Sequence, residues 1–243
     1  MRRKPSALAV YIVESRGIGL SLFMVVPLLM AYEVAMLTLQ APLRNGAEML
    51  VSQAFGQLPV GAVVLLRRII LALLVAAAFV WARRDPPRVA RPQWILSEAL
   101  LLALLLGPLV GGLVGGLGLS AEAVVAPGEH PAWLPFLLSI GAGLWEEIVF
   151  RLVLLGGLAV LLGRFTGMTR PGALAVSVVA SALAFALYHH VGDLGEPFAP
   201  DRFAFRAVAG TILGILFAYR GLAIVVYMHV FYDVLCDLRA LAA

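Results

Sequence analysis

Residues 143–152 read GLWEEIVFRL, two adjacent glutamates and an arginine inside a stretch otherwise apolar enough to cross a bilayer. Ionisable side chains cost about 2.5–3.5 kcal/mol each at the centre of a membrane helix, so they are retained where they pair or do chemistry. On a helix, Glu147 and Arg151 stand at i and i+4, the spacing and polarity of a neutralising ion pair. Glu146 lies about 100° further round and is poorly placed to share that arginine. It is the carboxylate left available for chemistry.

The surrounding composition agrees with a membrane setting. Of 243 residues, 62% are hydrophobic and 13% charged, and the mean hydropathy is +0.99, too little polar surface to cover a soluble globule. The fold class expected is all-α, a polytopic transmembrane helical bundle. With about 20 apolar residues needed per crossing, the chain divides into about seven spans, with six or eight left open, near 17–39, 58–82, 95–119, 134–162, 173–190, 203–220 and 221–238. Arg67 and Arg68 interrupt the second, which leaves open a shorter helix from Ile69 preceded by a re-entrant piece. Segment 43–57, LRNGAEMLVSQAFGQ, mixes apolar and polar residues and is expected as an interfacial helix. The prolines Pro86, Pro87 and Pro92 suggest a hinge, so we expect N-terminal membrane helices over 1–94 and a core over 95–243.

Orientation follows from charge. Eleven basic residues fall in alternate connections beginning with the N-terminus, against Arg44, Arg202 and Arg239 in the others, where Glu122, Glu129, Asp193, Glu196 and Asp201 collect. The positive-inside rule then places the N-terminus in the cytoplasm. One lysine among many arginines points to a GC-rich bacterial source, hence an inner-membrane protein. The net charge of +4 sits between spans, where it meets lipid head groups, so nucleic acid is not an expected partner. The single cysteine, Cys236, excludes an internal disulfide and a multi-cysteine metal site.

Two later spans supply further polar groups at membrane depth. FALYHH, 185–190, carries Phe185, His189 and His190; HVFYD, 229–233, carries His229 and Asp233 one turn apart on one face. His190 adjoins a polar loop and His130 lies within one, so both are read as interfacial. Glu146, His189, His229 and Asp233 come from three helices, and their depths allow them to converge between the middle and the outer side of the bilayer. Elsewhere, Glu33 is expected to pair with Arg67 or Arg68, and Glu98 to reach interfacial water. Trp145 is read as an interfacial anchor or as lining the site. The glycine run GPLVGGLVGGLG, 107–118, is read as close helix packing.

In order, Glu146-Glu147-Arg151 fits EExxxR, Phe185-His189 fits FxxxH and His229-Asp233 fits HxxxN/D. Together, over roughly 95–238, they resemble the CAAX-protease and bacteriocin-processing family of intramembrane glutamic endopeptidases. The resemblance implies that Glu146 and His189 activate a water, that His229 and Asp233 support the oxyanion, and that Glu147, Arg151 and Phe185 shape the site. It implies no cofactor and no metal, with a membrane-anchored protein or peptide as substrate. Asp233 departs from the asparagine of some relatives. An ionised carboxylate cannot donate to an oxyanion, so either Asp233 is protonated or it orients a protonated His229 that donates; the second is preferred.

Peptide hydrolysis needs a base for the water, donors for the oxyanion and an acid for the leaving amine, and this set can supply all three. Two other readings stay open. The same residues include plausible zinc ligands, although HExxH is absent. A proton-coupled transporter or scaffold would use them as a relay, although no paired broken helices in matching halves are evident.

Overall fold

A computed structural model describes residues 6–41, 43–56, 58–84, 90–119, 131–192 and 195–242, and every regular element among them is helical. In chain order these are α1 (Ala7–Ser15), α2 (Ile18–Thr38), α3 (Gly46–Ala54), α4 (Val60–Arg84), α5 (Pro92–Gly115), α6 (Trp133–Glu146), a π-helical segment (Glu147–Leu155), α7 (Gly156–Phe165), α8 (Arg170–Tyr188), α9 (Pro200–Arg220) and α10 (Leu222–Ala242). Arg2, Arg3, Lys4, Arg88, Glu122, Glu129, Asp193, His130 and the hinge prolines Pro86 and Pro87 lie outside the described residues.

Local chemistry sets the helix starts. Ser6, Asn45 and Thr169 cap α1, α3 and α8 by accepting a first-turn backbone N–H. Proline opens α5 and α9, where its missing N–H costs nothing.

Among the described residues, six helical stretches are long and apolar enough to span a membrane: Ile18–Thr38, Gly61–Arg84, Pro92–Gly115, Trp133–Phe165, Arg170–Tyr188 and Pro200–Arg220. The seventh expected span is a helix of 21 residues, α10, whose second half carries Asp233, Asp237 and Arg239. Its first five residues, Leu222 to Val226, are buried. α5, α6, α2 and α9 pack on α10.

The shared core draws Leu20, Tyr32, Ile95, Leu144, Leu213 and Ile224 from α2, α5, α6, α9 and α10. By contrast α4 packs chiefly on α2 and exposes Leu65, Leu73 and Phe79, the surface of a helix solvated by lipid. It runs unbroken through Arg67 and Arg68, overturning the shorter-helix alternative. Arg67 is accommodated because its guanidinium meets Glu33 and Glu48.

Two further elements gain detail. Glu98 is ion-paired with Arg220 through both carboxylate oxygens, each at 2.6 Å, and accepts a hydrogen bond from Tyr11 at 2.6 Å, tying α1, α5 and α9 together. In the glycine run, Gly107 comes near Tyr232 and Gly116 meets only the Gly112 and Leu113 carbonyls of its own run, while Gly111, Gly112 and Gly115 face open space. The tight Arg220-Gly221 connection is real, with Gly221 at φ 83° and Arg16 backbone within 2.7 Å of where a Cβ would stand.

Candidate active site

The EExxxR stretch begins where α6 gives way to the π-helical segment, so the change of helical form falls between Glu146 and Glu147. Such segments widen the turn and free carbonyls from the regular ladder, and they recur at functional sites. Here Ser181 of α8 donates to the Phe150 carbonyl at 2.6 Å, giving that buried group a partner outside its own helix.

Both glutamates and the arginine are buried: Glu146 is 4% exposed, Glu147 and Arg151 0%. Arg151 lies 3.1 Å from Glu147 Oε1, but the guanidinium is not aligned for a hydrogen bond. It is also stacked 4.3 Å above the Phe185 ring, so a counter-charge and an aromatic face share its stabilisation. Phe185 thus touches the arginine of the first motif as well as the histidine of its own, whose ring lies 4.9 Å away edge-on.

His189 closes α8. Its Nδ1 is 2.8 Å from the Phe185 carbonyl, and since a carbonyl only accepts, Nδ1 carries the proton. In the neutral ring Nε2 is then the free lone pair, and it lies 3.9 Å from Glu146 Oε2.

His229 enters from α10. Nδ1 is 2.8 Å from Glu147 Oε1, while Nε2 is 3.4 Å from Asp233 Oδ2 and 3.9 Å from Glu146 Oε2. Both ring nitrogens therefore face carboxylate oxygens, an arrangement that a doubly protonated imidazolium satisfies best. The approach depends on Gly143. A Cβ there would clash with the Val230 side chain and stand 2.7 Å from the Val230 backbone nitrogen, so α10 could not lie this close to α6.

Glu146, His189, His229, Asp233 and Phe185 line one cavity of about 280 Å³, together with Glu196, Arg202 and Arg206 of the α8–α9 connection and α9. Glu147 and Arg151 stand behind that wall. A second cavity of about 550 Å³, between α3 and the end of α8, shares Glu146, His189 and Glu196 with the first. Glu146 and His189 therefore stand where two cavities meet. Trp145 faces a third cavity, of about 200 Å³, alongside Arg67 and Glu48, and takes no part in the first two. His190 turns toward the Glu196 carbonyl and Phe198, apart from the glutamates.

Among the described residues no three His, Cys, Asp or Glu side chains are grouped as a metal site. Glu196 links loop to helix: its N–H donates to the His189 carbonyl at 2.8 Å, and its carboxylate accepts from Arg206 at 2.8 Å and Arg202 at 3.1 Å. Burial pushes that carboxyl up, but the two guanidiniums more than offset it and hold it below the usual carboxylate range.

One contact was invisible in the motifs. Asn45 Nδ2 donates to Glu146 Oε1 at 3.3 Å, across 101 positions of sequence. The only local signal was an asparagine in cap position at the start of the 43–57 segment; nothing in its spacing indicated that α3 packs on α6.

Comparison with known proteins adds a family. Residues 128–235 match the family model described as type II CAAX prenyl endopeptidase Rce1-like, an interval that contains all seven motif residues. No curated protein and no solved structure gives a match. Over that segment, less than half of the chain, the protein is similar to the Rce1-like type II CAAX prenyl endopeptidases.

Proposed function

We propose that the protein hydrolyses a peptide bond in a membrane-associated protein or peptide, with Glu146 as general base for a water that His189 helps to hold. The observation that carries this is the pair of 3.9 Å separations from Glu146 Oε2 to the Nε2 atoms of His189 and His229. They are too long for direct hydrogen bonds, and a water at about 2.8 Å from each end spans such a gap.

In this reading Glu146 takes a proton as the water oxygen bonds to the scissile carbonyl carbon. The carbonyl oxygen becomes an oxyanion, and His229, held by Glu147 and Asp233, donates to it. When the C–N bond breaks, the proton on Glu146 passes to the leaving amine, giving a new carboxylate and a new amine and restoring the base. The peptide enters extended, because a helix keeps its amides in its own hydrogen bonds. The two cavities on either side of Glu146 provide room for chain on both sides of the scissile bond.

We further propose a bacterial inner membrane, a cytoplasmic N-terminus, N-terminal helices over 1–94 supporting a protease core over 95–243, and substrates presented from the exported side. The test is cleavage of a membrane-anchored peptide library by purified protein, its Glu146→Gln variant, and chelator-treated protein. Cleavage lost in the variant and kept under chelator is expected. Loss under chelator would turn these residues into metal ligands, and full activity in Glu146→Gln would remove the base.

A further inference from the structure

We propose that Asn45, which lies outside the family-matched segment, is a positioning residue that fixes the orientation of the Glu146 carboxylate. The inference rests on the reading of Glu146 as the base.

The Asn45 side chain is used at both ends. Its Oδ1 accepts the Ala47 N–H at 2.8 Å as the cap of α3, and its Nδ2 donates to Glu146 Oε1 at 3.3 Å. The cap decides which end of the amide faces the site: with the oxygen committed to the helix, the NH₂ end points to the glutamate. The two oxygens of Glu146 are thereby given different tasks. Oε1 is held from the α3 side, and Oε2 is turned toward His189 and His229. A neutral donor does this without cancelling the negative charge the base needs, whereas a lysine or arginine there would neutralise it.

The helix that presents Asn45 is itself clamped. Three residues on, Glu48 is 1% exposed and accepts from Tyr32 of α2 at 2.7 Å and from Arg67 of α4 at 2.6 Å, and it also pairs with Arg44. A buried carboxylate with several charge-assisted bonds pins the first turn of α3. The N-terminal helices thus reach the catalytic glutamate through one short chain of contacts: α2 and α4 hold Glu48, Glu48 holds α3, and the α3 cap holds Glu146. Asn45 also lines the larger cavity beside Tyr188 and His189, so this restraint acts on the side where peptide would lie.

Two variants separate positioning from mere capping. Asn45→Asp and Asn45→Ser both preserve a good N-cap; the first replaces the donor with a second carboxylate, and the second removes it without adding charge. The loss of a hydrogen bond to a charged group predicts a fall in kcat of about tenfold to hundredfold in Asn45→Ser and a larger fall in Asn45→Asp. KM and the thermal midpoint should stay at wild-type values. Independently of turnover, the infrared carboxylate stretching band that disappears in Glu146→Gln should shift in both variants. Wild-type kcat in Asn45→Ser, or a band that does not move, would overturn the proposal. If Glu146→Gln itself keeps full activity, it is the water-activation reading that fails; an inactive Glu146→Gln beside a fully active Asn45→Ser fails the positioning role alone.

Discussion

Oε1 of Glu147 lies 2.8 Å from Nδ1 of His229 and 3.1 Å from Arg151, so one oxygen serves partners on two different helical segments. The sequence pattern had Glu147 occupied by Arg151. The structure gives it a second partner on α10 and so connects the first and last motifs.

Glu147→Gln removes the counter-charge from a guanidinium with no exposed surface. Breaking a buried pair in this way costs about 3–5 kcal/mol, and the variant should show a markedly lower unfolding midpoint in detergent. Glu147→Asp keeps the charge and should be less destabilised, yet still impaired in turnover, because the shorter side chain draws away from His229. Equal midpoints for Glu147→Gln and wild type would contradict the pairing.

Asp233 faces Nε2 of His229 at 3.4 Å. If it orients a protonated His229 for the oxyanion, Asp233→Asn should lower kcat by about tenfold to hundredfold, the scale of one charge-assisted hydrogen bond. An Asp233→Asn variant with full activity would show that this ion pair is dispensable.

Gly143→Ala places a methyl group against the Val230 side chain and backbone. Overpacking at such a crossing costs about 1–3 kcal/mol, and a displaced α10 carries His229 away from Glu146 and Glu147. We expect a lower midpoint and a fall in kcat together; wild-type values for both would mean that the crossing yields without cost.

The Glu196 carboxyl is held low by Arg206 and Arg202 despite partial burial. A group with a depressed folded-state pKa stabilises above its unfolded value and ceases to do so as pH falls through the folded one. Acidification should therefore weaken the α8–α9 connection, and with it the support under His189. Midpoints measured across acidic pH should fall less steeply for Glu196→Gln than for wild type, from a lower starting point at neutral pH. Parallel curves would show that Glu196 carries none of this dependence.

The helical class was legible because apolar runs of spanning length leave few alternatives. Local ion-pair logic found Glu147–Arg151 and Glu33–Arg67 for the same reason: spacing or depth limits the partners. The number of spans stayed open between six and eight because an apolar stretch buried by protein and one bathed in lipid have the same composition; Asp233, Asp237 and Arg239 set α10 apart from the other spans. The change to π-helix after Glu146 left no mark in side-chain periodicity, and its support, Ser181, looked like an ordinary small residue in a span. Asn45 and Gly143 escaped notice for a related reason. What each does depends on an approach between helices distant in sequence, and one sequence does not encode that approach in any local pattern.

The most direct test is a double-mutant cycle on Glu146 and His189, using single-turnover cleavage of a membrane-anchored peptide by wild type, Glu146→Gln, His189→Ala and the double variant. If the two hold one water, their effects are those of a single unit, and the double variant loses little more than the worse single variant. Losses that multiply, each residue contributing its full factor in the absence of the other, would contradict a shared water.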